Sequence, residues 1–208
     1  MTGPFITLEG GEGVGKSTQA RRLADVLRAR GLDVTLTREP GGSPGAEAIR
    51  SLLLEGEAKR WTAGAEALLF AAARADHVAK TIRPALETGQ WVVCDRFLDS
   101  SRAYQGAAGA VGEEAILQLH QVGSLGFLPD RTLVLDLPGG EAAARAETRD
   151  AGSTDRIGGR EAAFHGRVVA AFRSFASEEP GRVRLIDASG SEEQVTRRLL
   201  SALSDVLP

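Results

Sequence analysis

An apolar run, Pro4–Glu9, leads straight into Gly10-Gly11-Glu12-Gly13-Val14-Gly15-Lys16-Ser17, and an amphipathic helical pattern opens at Lys16. No other stretch limits the possible folds as much. The octapeptide fits G-x-x-x-x-G-K-[ST], in which glycines let the backbone curl until successive N–H groups point inward at phosphate oxygens. The helix that follows adds its N-terminal dipole and unpaired N–H groups. Lys16 is expected to reach the β- and γ-phosphates, and the Ser17 hydroxyl to ligate Mg²⁺. A glycine-rich turn without a ligand would not need the strand before and the helix after. The expected nucleotide-binding set is therefore Gly10, Gly11, Glu12, Gly13, Val14, Gly15, Lys16, Ser17 and Thr18.

The rest of the chain repeats the same alternation. Pro4–Glu9, Asp33–Thr37, Trp91–Asp95, Thr132–Leu137 and Val183–Asp187 read as five buried strands. Helical patterns lie between them near Lys16–Arg30, Pro44–Glu55, Thr62–Thr88, Gly112–Gly123, Gly139–Thr148, Arg160–Glu178 and Ser191–Val206. Such alternation predicts the α/β class, a five-stranded parallel sheet with helices on both faces. Gly31 and Gly89 stop helices, and Ser191 with Gln194 three residues on starts the last one. At 208 residues the chain suits one domain spanning 1–208. Ala146–Arg160 is polar and glycine-bearing, without apolar periodicity, and carries Arg149, Arg156 and Arg160. It reads either as a surface connector or, over a phosphate site, as a lid at about 146–160.

Charge and cysteine content narrow the function. A formal net charge of −3 gives no general attraction to nucleic acid or anionic membrane, so anion contacts must be local. The longest apolar stretch, near Ala67–Ala73, is too short to span a bilayer, and no signal-peptide pattern opens the chain. Cys94 is the only cysteine, which suits a reducing cytoplasm, and the three histidines lack zinc-ligand spacing. Only three of the 25 basic residues are lysines; codon bias explains this, and it leaves Lys16 conspicuous.

A phosphate cradle serves GTPases, ATPase motors and small-molecule kinases alike. No Asn-Lys-x-Asp segment for guanine is present, and motors use longer chains. A kinase needs a second site that holds an acceptor in line with the γ-phosphate. Three further blocks supply candidates: Thr37-Arg38-Glu39-Pro40-Gly41-Gly42, Glu66–His77, and Asp95-Arg96-Phe97 with Ser100, Ser101, Ala103, Tyr104, Gln105 and Gly106. Arg38 ends the second strand, where open α/β sheets place ligands, and its fork suits a phosphate; a surface pair with Glu39 is the alternative. Asp95 ends the third strand, the place for a residue that organises Mg²⁺ and its waters. A structural Asp95–Arg96 pair is a compatible alternative.

In order and spacing these four blocks resemble the thymidylate kinase family, over nearly the whole chain. The resemblance implies a P-loop nucleoside monophosphate kinase fold, ATP and Mg²⁺ as donor system, and transfer of the γ-phosphate to dTMP by direct in-line displacement, in a homodimer. It implies that Arg38, Pro40, Arg96 and Ser100 surround the acceptor phosphate, and that Phe70 stacks on thymine while Arg74 donates to a pyrimidine carbonyl. Tyr104 and Gln105 resemble the family's deoxyribose and base contacts, and Glu12 the group that holds the 3′-hydroxyl. Phe70 alone would read as ordinary core, and Glu66 and His77 as supporting or surface residues. No arginine stands in Gly11–Gly15, so the transition-state arginine is expected in the lid: Arg149 first, Arg156 second, with Arg145 over the adenine. Phe97 stands where many members have tyrosine. A regulatory module that binds ATP without turnover is the rival of another class; turnover with dTMP separates the two.

Overall fold

The computed structural model describes residues 2–57, 60–138, 140–142 and 156–208. Five strands form one parallel sheet in the order β2-β3-β1-β4-β5. They are β1 (Phe5–Gly10), β2 (Val34–Arg38), β3 (Trp91–Asp95), β4 (Arg131–Asp136) and β5 (Val183–Asp187), each within a residue or two of its expected bounds. Alternate residues feed opposite faces, as the pleat requires. Ile6, Leu8, Val93, Leu133, Leu135 and Ile186 pack with Leu23 and Leu27 of helix α1 (Lys16–Ala29) and Val195 and Leu199 of helix α8 (Glu192–Ala202). On the other face Phe5, Val92 and Cys94 meet helix α3 (Ala63–His77), its continuation, and α6 (Glu113–Ser124), while Val134 and Val183 meet α7 (Ala162–Glu178). Both faces are covered, which is why the strands read as continuous apolar runs.

Helix starts follow local chemistry. Ser43 caps α2 (Pro44–Leu54) through Ala46 N–H, with Pro44 at the first helical position, and Thr62 caps α3 through Ala65 N–H. Ser191 and Gln194 form a reciprocal capping box on α8. The single helix expected over Thr62–Thr88 is α3, a π-helical turn at Val78–Ile82 and a short α4 (Arg83–Glu87). A second π-helical stretch, Arg102–Ala107, continues the short α5 (Leu98–Ser101), where no helix is legible in the sequence. The helix expected over Gly139–Thr148 falls mostly outside the described residues; Gly140–Ala142 are helical.

The register sets the site. Asp95 on β3 lies opposite Leu8 of β1 and Arg38 of β2, so three strand ends bring their following loops to one edge of the sheet. Crevices at such carboxyl ends are where ligands bind in open α/β sheets.

Candidate active site

Gly10, Gly13 and Gly15 have φ of 134°, 73° and 90°, a region that residues with a Cβ rarely adopt. A Cβ on Gly10 would also lie 2.4 Å from the Leu135 carbonyl oxygen. The loop curls over the start of α1 and buries Lys16, whose Nζ donates to the Gly11 carbonyl at 2.5 Å. Burial, then the neighbouring Arg96, pulls the ammonium down to about 8, against the opposing carboxylates of Glu12, Asp95 and Glu9. Ser17 Oγ donates to Asp95 Oδ2 at 2.5 Å, while Oδ1 of the same carboxylate is buried without a hydrogen-bond partner among the described residues. A buried carboxylate oxygen without a donor is costly unless a cation or water meets it.

Arg96, next along the chain, has φ of 70°, a left-handed conformation that costs a non-glycine residue roughly 1–2 kcal/mol. The turn aims its guanidinium back at the glycine loop. Nη2 donates to Glu12 Oε1 at 2.6 Å, and Nη1 to Ser100 Oγ at 3.2 Å and the Gly10 carbonyl at 3.4 Å. The guanidinium lies 5.1 Å from the Tyr104 ring centroid, and the Tyr104 hydroxyl donates to the same Glu12 oxygen at 2.9 Å. Glu9 braces the turn from beneath: its carboxylate accepts from Phe97 N–H at 2.7 Å and from Ser100 Oγ at 2.5 Å. Burial, with Asp99 adding to it, pushes this carboxyl up to about 8. Glu9 was legible only as the end of a strand; a carboxylate inside a buried apolar run was the signal.

A cleft of about 620 Å³ opens over these groups and continues along Arg38, Pro40, Phe70, Arg74, Tyr104 and Gln105. All the expected acceptor residues thus meet in one cavity with Glu12, Gly13, Gly15, Lys16, Ser17 and Thr18. Gly10 and Gly11 contribute carbonyls that hold Arg96 and Lys16, and Val14 is buried in the core. Phe70 is both things the sequence allowed, a cleft wall and a partner of the core around Phe164 and Phe172. Arg21 and Arg50, which no motif marked, also line the cavity.

Several expectations are corrected. Arg38 does not pair with Glu39; its half-exposed guanidinium meets Glu47 at 3.2 Å. Glu39 is instead buried between Arg74 Nε (2.8 Å) and His77 Nδ1 (3.0 Å). His77 and Glu66 are buried, which removes the surface reading and leaves the supporting one. Arg74 is further fixed through Nη2 to Ser101 Oγ at 2.7 Å and the Phe97 carbonyl at 3.3 Å. Arg156, the second choice for a mobile arginine, is buried and bound through Nη2 to Glu66 at 2.6 Å and through Nε to the Leu53 carbonyl at 2.9 Å. Its bonds make it an anchor for this end of the loop, beside Ile157 and Gly158, which line the cleft. Arg145 and Arg149 lie outside the described residues.

A second cleft of about 360 Å³ shares Gly13, Gly15 and Thr18 with the first and runs to Ala188–Ser191, the turn between β5 and α8. Sequence reading missed it, because Ala188–Ser191 carries no side chain with a recognisable chemistry.

The sequence profile of the family described as thymidylate kinase matches residues 8–199. A thymidylate kinase of Rhizorhabdus wittichii is 66% identical over 208 residues, the whole of both chains. One from Caulobacter vibrioides is 51% identical over 205 residues, covering 99% of this chain and 96% of its own. In the solved structures, the thymidylate kinase of Ehrlichia chaffeensis superimposes with a TM-score of 0.78 at 30% identity, covering 98% of this chain and 100% of that one. The family profile, the full-length identity and the shared fold all agree: this chain belongs to the thymidylate kinase family.

Proposed function

We propose that the larger cleft holds the acceptor dTMP against the phosphates of ATP, and that its residues carry the γ-phosphate to the 5′-phosphate of dTMP, giving dTDP and ADP. The observation that carries this reading is the meeting of Lys16, Arg96 and Asp95 at the junction of the cradle and a cleft walled by Phe70, Arg74, Tyr104 and Gln105. Little covalent chemistry is required of the protein in phosphoryl transfer; positioning and charge stabilisation do most of the work. Lys16, a buried cation bonded to a carbonyl, gains a better partner in phosphate oxygens. Arg96 and Arg38 hold the acceptor phosphate, with Pro40 and Ser100 beside it. Glu12, already shared by Arg96 and Tyr104, takes the 3′-hydroxyl. The Tyr104 ring fills the space beside C2′ and excludes a ribose hydroxyl, while Phe70 stacks on the base. The adenosine of ATP occupies the second cleft, beside Gly13–Gly15 and Ala188–Ser191.

Mg²⁺ fits the donor set. Asp95 Oδ1 is a buried oxygen without a donor among the described residues, and Ser17 Oγ sits 2.5 Å from the other oxygen of that carboxylate. One or two protein oxygens beside substrate phosphates suit this ion, which keeps most of its ligands from water and phosphate. When bound, it neutralises charge on the phosphate oxygens. The sequence alone assigns the transition-state guanidinium to Arg149 and contact with the adenine to Arg145; both lie outside the described residues.

A homodimer is supported by Leu68, Val122 and Leu125, exposed on and beside the packed pair α3 and α6. A cytoplasmic setting is supported by one buried free cysteine, and a net charge of −3 gives no general attraction to nucleic acid or anionic membrane. No helix among the described residues is long and apolar enough to cross a membrane.

The test is ADP release with ATP and Mg²⁺ across dTMP, dUMP, dCMP, dGMP, AMP and UMP. dTMP leading with dUMP behind supports the acceptor assignments; another monophosphate in the lead overturns them, and no turnover at all in folded, ATP-binding protein favours a regulatory module.

A further inference from the structure

Glu66 takes no part in the reaction above, yet three side chains converge on its buried carboxylate through four hydrogen bonds. Gln105 Nε2 donates to Oε1 at 2.9 Å, Arg156 Nη2 to Oε2 at 2.6 Å, and Arg160 Nη2 to both oxygens at 2.8 Å. Gln105 is itself buried and lines the acceptor cleft.

The electrostatics decide the state of this carboxylate. Burial works against its charge, but the Gln105 amide and the two guanidiniums outweigh burial and hold it below the usual carboxylate range. An ionised carboxylate has only lone pairs to offer. Only one of the two amide orientations of Gln105 is therefore allowed. With Nε2 turned to Glu66, the planar amide leaves Oε1 as the atom available to a ligand in the cleft; the flipped form would set two acceptor oxygens against each other.

We propose that Glu66 is a positioning residue for base selection: by fixing the Gln105 amide, it makes that wall of the cleft a hydrogen-bond acceptor. In the same cleft Arg74 has only donors, its guanidinium held by Glu39 and Ser101. An acceptor and a donor together match the C4 carbonyl and N3–H of thymine. Cytosine presents the opposite set, an accepting N3 beside a donating amino group, and meets like against like. A purely anchoring carboxylate would hold Arg156 and Arg160 but exert no discrimination between pyrimidines.

This inference rests on the proposed placement of the acceptor base beside Gln105, and the experiment separates the two. The quantity measured is the ratio of kcat/KM for dTMP over dCMP in wild type, Gln105→Ala, Glu66→Asp and Glu66→Gln. In Glu66→Gln the new amide can donate to Gln105, so Gln105 is free to turn Nε2 into the cleft. The ratio is expected to fall about tenfold or more, as the loss of one buried discriminating hydrogen bond implies. Glu66→Asp, which keeps an ionised acceptor, is expected to retain most of the ratio. Because Glu66→Gln removes a carboxylate bonded to the buried Arg156, the double variant Glu66→Gln with Arg156→Gln provides the same measurement with both charges of that pair removed. Equal loss of activity on both substrates, with the ratio kept within about twofold in single and double variants, overturns the proposal and leaves Glu66 an anchor. If Gln105→Ala also leaves the ratio unchanged, the base does not lie beside Gln105, and the acceptor placement falls with it.

Discussion

Lys16 shows most directly how a single residue, placed at the proposed phosphate site, is held there at a cost in stability. The folded protein disfavours its charged form, since burial and Arg96 pull it down to about 8 from an ordinary 10.5. The unfolded chain binds this proton more tightly than the folded one. At neutral pH the buried ammonium is thus a burden on folding, by up to about 3 kcal/mol at 1.36 kcal/mol per pKa unit. Lys16→Met removes the charge while keeping the stem. It is expected to raise Tm by a few degrees and to lower kcat at least about 100-fold, as the loss of a preorganised charge at developing negative oxygen does. Calorimetry and steady-state ADP release check both; a lowered Tm, or turnover near wild type, contradicts the assignment. Lys16 and the glycines were readable because the cradle is continuous in sequence. Glu9, Glu39 and His77 were not, because each acts through a contact with a residue 38 or more positions away: Glu9 on Phe97 and Ser100, and Glu39 on His77. Arg38 was readable as a cleft residue but not in its partner, since Glu47 comes close only through the turn into α2.

At the scale of elements, strands were legible almost to the residue, because a strand buried on both faces leaves a short apolar run bounded by turns. The Leu98–Ala107 segment escaped for the converse reason. Its Ser, Ala, Gly and Gln residues lack the apolar spacing of an α-helix, and its π-helical part is held by side-chain bonds from outside, such as that of Gln105 to Glu66. Helix α6 packs beside this segment and carries His120, whose environment disfavours its charged form. Nε2 meets the Phe127 carbonyl at 2.8 Å and must donate to it; Nδ1 is buried without a hydrogen-bond partner among the described residues. Burial first, and Arg74 second, lower this imidazole from 6.5 to about 4. Between those values the unfolded chain takes up a proton that the folded protein refuses, so stability falls as pH drops from 6.5 to 4. His120→Gln keeps a donor for Phe127 and does not titrate. The Tm difference between wild type and His120→Gln is expected to shift in favour of the variant on going from pH 7 to pH 4.5. A difference that stays constant over this range contradicts the assignment.

Across the whole molecule, the wall of the proposed acceptor site is held in place by a buried ion network whose members stand far apart in sequence. Asp99 is fully buried on α5. Its Oδ1 accepts from Arg102 at 2.7 Å and Arg182 at 2.9 Å, and its Oδ2 from Arg182 at 2.7 Å and from Thr132 Oγ1 at 2.9 Å. Thr132 on β4 in turn shares a hydrogen bond with Thr7 on β1, and Arg102 reaches Glu113 on α6 and Glu179 at the end of α7. The network thus ties the turn bearing Tyr104 and Gln105 to the centre of the sheet and to two helices. No local pattern betrays it: Asp99, Thr132 and Arg182 each look like ordinary polar residues where they stand. Removing Asp99 takes the fully buried acceptor from two guanidiniums and leaves them only the part-exposed Glu113 and Glu179, which costs about 3 kcal/mol. Asp99→Ala is expected to lose that much in urea unfolding at pH 7. Burial raises this carboxyl, but Arg182 and Arg102 outweigh it, and the folded pKa lies below the ordinary 3.8. A lowered carboxylate contributes its full stability above the unfolded value and loses it as pH falls through the folded one. The gap between wild type and Asp99→Ala should therefore narrow below pH 3.8. It should widen again on return to neutrality. A gap of the same size at pH 7 and in acid would mean that packing, rather than the paired charge of Asp99, holds this wall in place.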